Sequence, residues 1–149
     1  SNFSISKIDT CSQDKPLYFQ NLFFFNVSHS GNFAAAILSK EKSVGMDIEF
    51  ISHKIKAVKK RFLNADELEL LKTCNSVEET EVISLFWSVK EAVLKWIGIS
   101  SFDYLNDISI LGFNKADFGI IEVNLCNSHR SFVSVHYMKQ GAYWITYCI

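Results

Sequence analysis

A chain of 149 residues with 48% apolar and 14% aromatic side chains can bury a sizeable core, which excludes a disordered tail or a linker. A net charge of −1 excludes general nucleic-acid binding, which needs a surface that neutralises phosphates. No apolar run approaches the ~18 residues of a membrane span, and no signal peptide is read, so no membrane partner is expected. The four cysteines, Cys11, Cys74, Cys126 and Cys148, contain no CxxC pair and fit no zinc site. They read as buried free thiols of a reducing compartment, and a cytoplasmic setting is expected.

Leu22 to Ser28 is rich in Phe and predicts a strand, followed by turn residues from Ser28 to Asn32 and a returning strand from Phe33 to Ser39. After a polar turn, Val44 to Phe50 alternates cleanly. Val44, Met46, Ile48 and Phe50 take one face, and Gly45, Asp47 and Glu49 the other. Lys54 to Phe62 predicts a short basic helix. Asn64 with Glu67 has the form of a capping box opening a helix to about Lys72. Ser76 with Glu79 repeats that form before a longer helix ending near Gly98. Strands follow at about Asp107–Leu111, Phe118–Cys126, Ser131–Lys139 and Ala142–Cys148. Strands, then helices, then strands predict an α+β fold with helices packed on mostly antiparallel sheet.

Three segments carry candidate chemistry. Asp47 and Glu49, two apart on a strand, point the same way, and paired carboxylates repel unless a proton or cation lies between them. Oxygen ligands of this kind suit Mg²⁺, and Gly45 beside them leaves room for a ligand. Taken alone, such a pair more often describes the solvated face of an edge strand. On the long helix, Val82, Leu85, Phe86, Val89, Val93, Trp96 and Ile97 form one stripe at about 100° per residue. Glu91 and Lys95 fall nearly opposite, flanked by Trp87 and Leu94. That pair either lines a cleft or merely stabilises the helix at i,i+4. Ser28-His29-Ser30-Gly31 offers phosphate donors from a turn, or is simply a polar hairpin. The basic cluster Lys54, Lys56, Lys59, Lys60 and Arg61 attracts acidic partners or is a solvated face.

In order along the chain, Phe25-Asn26-Val27-Ser28-His29-Ser30-Gly31, Gly45-Met46-Asp47-Ile48-Glu49 and Trp87-Ser88-Val89-Lys90-Glu91-Ala92 with Lys95 resemble the 4′-phosphopantetheinyl transferase superfamily. The likeness is to its surfactin-synthetase-activating (W/KEA) type, and Asp14-Lys15-Pro16 is similar to that branch's G-K-P segment. The resemblance implies transfer of the phosphopantetheine arm of coenzyme A to a serine of an apo acyl or peptidyl carrier protein, releasing adenosine 3′,5′-bisphosphate. It implies Mg²⁺ held by Asp47, Glu49 and Glu91, with Glu91 as base and Lys95 stabilising the leaving pyrophosphate charge. It further implies that Lys90 assists phosphate binding and that Lys15, Ser28 and His29 grip coenzyme A. Such proteins usually have two similar α+β halves. Only 27 residues precede Ser28, so the first half is expected to be truncated, with residues 1–43 its remnant and 44–149 the second half. A non-catalytic fragment that binds coenzyme A or a carrier is the alternative expectation. A different Mg²⁺–nucleotide enzyme is a third.

Overall fold

The computed structural model describes residues 23–98, 103–126 and 132–149. Lys15 and the rest of the Asp14-Lys15-Pro16 segment, together with Cys11, lie outside them. A hairpin comes first, β1 (Phe24–Ser30) and β2 (Phe33–Ser39), paired from Phe24↔Ser39 to Ser30↔Phe33. The strand therefore runs through Ser28 and His29 instead of ending there. Only Gly31 and Asn32 turn the chain, with Gly31 at φ +58, a left-handed conformation glycine adopts without a Cβ penalty.

The second sheet has five antiparallel strands in the order β3-β7-β6-β5-β4. They are β3 (Gly45–Phe50), β4 (Ile108–Ile110), β5 (Phe118–Leu125), β6 (Phe132–Gln140) and β7 (Tyr143–Cys148). Between β3 and β4 come two short 3₁₀ turns, His53–Ala57 and Lys59–Arg61, where a basic helix was expected. Then come α1 (Ala65–Leu70) and α2 (Ser76–Ile97). Asn64 and Glu67 form the expected capping box of α1. For α2 the box lies one residue earlier than expected, on Asn75 and Glu78. Gly98 closes α2 in the left-handed conformation, as expected of a C-terminal glycine. The α+β architecture expected from the sequence is the one observed.

Two cores sandwich the sheet. Helix α2 packs Val82, Leu85, Phe86, Val89 and Val93 against Ile121, Val123, Val135, Trp144 and Cys148. Behind the sheet, Met46, Ile48 and Ile145 meet Ala35 of the hairpin. Both faces of β3 are thus covered, and Asp47 is buried on the α2 side. At Gly45 the helix backbone lies close against the strand. A Cβ there would lie 2.0 Å from the Ala92 carbonyl oxygen and 2.5 Å from the Trp96 nitrogen. The open space expected beside Gly45 is therefore filled by helix backbone, and the glycine serves helix–strand packing. Among the described residues no helix is long and apolar enough to cross a membrane.

Candidate functional site

The register of β3 on β7 sets Asp47 opposite Thr146 and Glu49 opposite Trp144, with both acids on the α2 face. Helix α2 brings Lys95 across to that strand. Its ammonium donates to Asp47 Oδ1 at 2.9 Å and to Ser28 Oγ at 2.9 Å. The Ser28 hydroxyl in turn donates to the same Oδ1 at 2.7 Å. Hairpin, edge strand and helix thus meet in one triangle of polar contacts. Asp47 Oδ2 is buried with no partner.

Glu49 stands beside this triangle with its carboxyl pushed up to about 7. Burial is the main cause, followed by the charges of Asp47 and Glu91, with Lys95 opposing them. Glu91 accepts a hydrogen bond from the Tyr104 hydroxyl at 2.6 Å. Burial, then this bond and the Glu91 charge, hold the phenol well above its usual range. The Tyr104 ring stacks on Trp87, with centroids 5.3 Å apart and planes at 18°.

Asp47, Glu49 and Glu91 therefore share one electrostatic neighbourhood, but they do not converge as ligands. Among the described residues no group of three acidic, His or Cys side chains is set to hold a metal ion as it stands. The reason is visible in the partners: Lys95 takes one Asp47 oxygen and Tyr104 takes one Glu91 oxygen. The donor set nonetheless fits a hard cation. It has an unpartnered buried carboxylate oxygen, a second carboxyl whose charge is opposed by its acidic neighbours, and, among the described residues, one ammonium, Lys95, to offset them.

Three other groups singled out in the sequence lie outside this triangle. Lys90 does not reach this cluster. Its ammonium is fully buried and donates to the Phe62 carbonyl at 2.7 Å, the Tyr104 carbonyl at 2.7 Å and Glu67 at 2.8 Å. An ammonium has three hydrogens, and all three are committed, so in this arrangement Lys90 is no phosphate ligand. Burial pulls its pKa below the ordinary lysine range, with Glu67 opposing that shift. His29, between two serines whose hydroxyls reach Asp47 and the Phe50 amide, points to the other side of the hairpin and is exposed. Lys56 and Lys59 of the basic cluster pair with Glu79.

Tyr104 was not anticipated. It lies in a loop between α2 and β4, and neither spacing nor periodicity marks it. Two concavities, one between α2 and residues 113–117 and one over β5 and β6, are lined by none of Asp47, Glu49, Glu91 and Lys95.

A model of the 4′-phosphopantetheinyl transferase superfamily matches residues 43–148. The chain is 30% identical over 98 residues to the 4′-phosphopantetheinyl transferase HetI of Nostoc sp., a match covering 62% of this chain and 41% of that protein. It is 26% identical over 124 residues to a 4′-phosphopantetheinyl transferase of Bacillus subtilis, covering 83% of this chain and 54% of that one. The fold is similar to holo-[acyl-carrier-protein] synthase of Thermotoga maritima, with a TM-score of 0.56 at 18% identity over 71% of this chain and 61% of that chain. The matches span about half or less of the length of these two curated relatives.

Proposed function

Because the chain belongs to the 4′-phosphopantetheinyl transferase superfamily, we propose that it moves the phosphopantetheine arm of coenzyme A to a serine of an apo acyl or peptidyl carrier protein. The reaction is Mg²⁺-dependent and leaves adenosine 3′,5′-bisphosphate. The observation that supports this reading is the shared electrostatic neighbourhood of Asp47, Glu49, Glu91 and Lys95 between β3 and α2, with Asp47 Oδ2 unpartnered. In this reading residues 1–43, with the hairpin, and 44–149 are parts of two α+β halves.

Transfer of this kind needs alignment and charge neutralisation more than covalent help. Asp47, Glu49 and Glu91 would hold the cation, which when bound supplies charge neutralisation at the phosphoryl oxygens. Without it the three carboxylates would repel a pyrophosphate. Lys95 is partly open to solvent and hydrogen-bonded rather than enclosed, so it is free to turn from Asp47 to the substrate. There its ammonium stabilises the leaving charge. Glu91 accepts the serine proton, a role worth typically about 10²–10⁴-fold. Ser28 accepts from Lys95 and gives its one proton to Asp47, so it would donate to a phosphate oxygen only on releasing Asp47.

The test is direct. The chain is mixed with coenzyme A, Mg²⁺ and apo carriers of fatty-acid, polyketide and peptide-synthetase type, and the carriers are weighed by mass spectrometry. A gain equal to the phosphopantetheine arm, abolished by Glu91→Ala, is the expected result; unchanged carriers throughout would overturn it. The engagement of Asp47 with Lys95 and of Glu91 with Tyr104 favours a second reading, a coenzyme A- or carrier-binding module without turnover. Calorimetry that records coenzyme A binding by a chain that transfers nothing would select it.

A further inference from the structure

We propose that Tyr104 is a positioning residue for Glu91, and that buried Lys90 holds Tyr104 in place. The inference rests on the reading of Glu91 just given. The Tyr104 hydroxyl has a single proton, and it is directed at Glu91 Oε1 at 2.6 Å. That bond fixes the carboxylate and leaves its other oxygen for a cation or an incoming proton.

The phenol is itself fixed at two further points. Its ring lies against Trp87, one turn before Glu91 on the same helix. Its own carbonyl accepts from Lys90 at 2.7 Å. Lys90 is anchored by the Phe62 carbonyl and by Glu67, whose second oxygen accepts from the Ile110 amide at 2.9 Å. The loop is closed on itself by Asp107, whose carboxylate accepts from the Asp103 amide at 2.8 Å. A chain of contacts thus runs from α1 through Glu67, Lys90 and Tyr104 to Glu91. The two adjacent α2 residues Lys90 and Glu91 point to different sides of the helix and are joined through one loop residue.

The experiment uses the full chain, with Mn²⁺ as a spectroscopic probe in the presence of coenzyme A. Tyr104→Phe keeps the ring and removes only the hydroxyl. It is expected to weaken Mn²⁺ binding and lower kcat by about 10–100-fold, the usual effect of losing an outer hydrogen bond to a metal ligand. Lys90→Met is expected to produce a similar loss and to speed hydrogen exchange at residues 103–107. The double variant is expected to be no worse than the poorer single one, because both act through one contact. Tyr104→Phe that binds Mn²⁺ and turns over like the parent overturns the proposal. So does Lys90→Met that loses coenzyme A affinity while residues 103–107 exchange as before, since Lys90 would then be a phosphate ligand. If Lys90→Met does not fold, Tyr104→Phe decides. A parent chain that neither binds Mn²⁺ nor transfers anything defeats the proposed function. The Lys90–Tyr104 link is then still read from exchange, which needs neither metal nor substrate.

Discussion

Helix α2 takes part in ion pairs at three depths. Lys90 and Glu67 are both fully buried. Lys95 and Asp47 have side chains 27% and 7% exposed, and Glu79 meets Lys56 and Lys59 where each is about a quarter exposed. In the deepest pair every hydrogen of the ammonium is committed, so it can exchange nothing and builds structure. In the middle pair water reaches the lysine while Asp47 keeps an unpartnered oxygen, so its partners can be exchanged for a ligand. In the outer pair the acid is more open than Asp47 and both Glu79 oxygens are taken by lysines, and such partly exposed pairs contribute little. Depth of burial, and not residue type, separates a strut from a site.

The largest effect is expected from breaking the deepest pair. Lys90→Met should cost about 3–5 kcal/mol in urea denaturation, because it leaves Glu67 as an uncompensated buried charge. Lys95→Met should cost less, within the roughly 1.5–3 kcal/mol of a charged hydrogen bond, since water can enter in its place. Carrier modification should nevertheless be lost. Equal losses of stability in the two variants would erase the distinction drawn between them.

Gly45→Ala tests the spacing across which the middle pair forms. Its Cβ would meet helix backbone at 2.0 Å, which cannot move aside as a side chain could. A loss of about 1–3 kcal/mol is expected from overpacking. Transfer should also fall, as α2 is pushed off β3 and Lys95 away from Asp47.

The outer pair should show only in the pH dependence. Hydrogen bonds from Lys59 and Lys56 hold the Glu79 carboxyl below its ordinary value of 4.5. Its contribution is therefore complete above the unfolded value and disappears as pH falls through the lower native one. Glu79→Gln should therefore lose a little stability at pH 7 and none once the pH is below the native value, which flattens the acid limb of unfolding. A variant that loses stability equally at pH 7 and pH 4 would show the contact is not electrostatic.

Much of this site was legible beforehand, and the misses are specific. Alternation in Val44–Phe50 put Asp47 and Glu49 on one face, and they are found there. Asn75 and Ser76 can both cap a helix, and Glu78 and Glu79 both follow at the right distance. Two registers one residue apart were thus open, and the structure takes Asn75 with Glu78. Lys90 could have been separated from Lys95 by angle. Five residues at 3.6 per turn place them about 140° apart, so one phosphate could hardly face both. Nothing comparable marked Tyr104, whose partner Glu91 is found only when the loop before β4 folds back over α2.

Local rules, read along the chain, determined the strands, the helix caps and the acids that share a side, because periodicity and capping act over a few residues. Tertiary structure decided which lysine is a strut, what fills the space beside Gly45, and that Ser28, Asp47 and Lys95 touch. Ser28 and Lys95 are 67 positions apart. Contacts of that span depend on how deeply α2 settles onto the sheet, a property of both cores together and of no single segment.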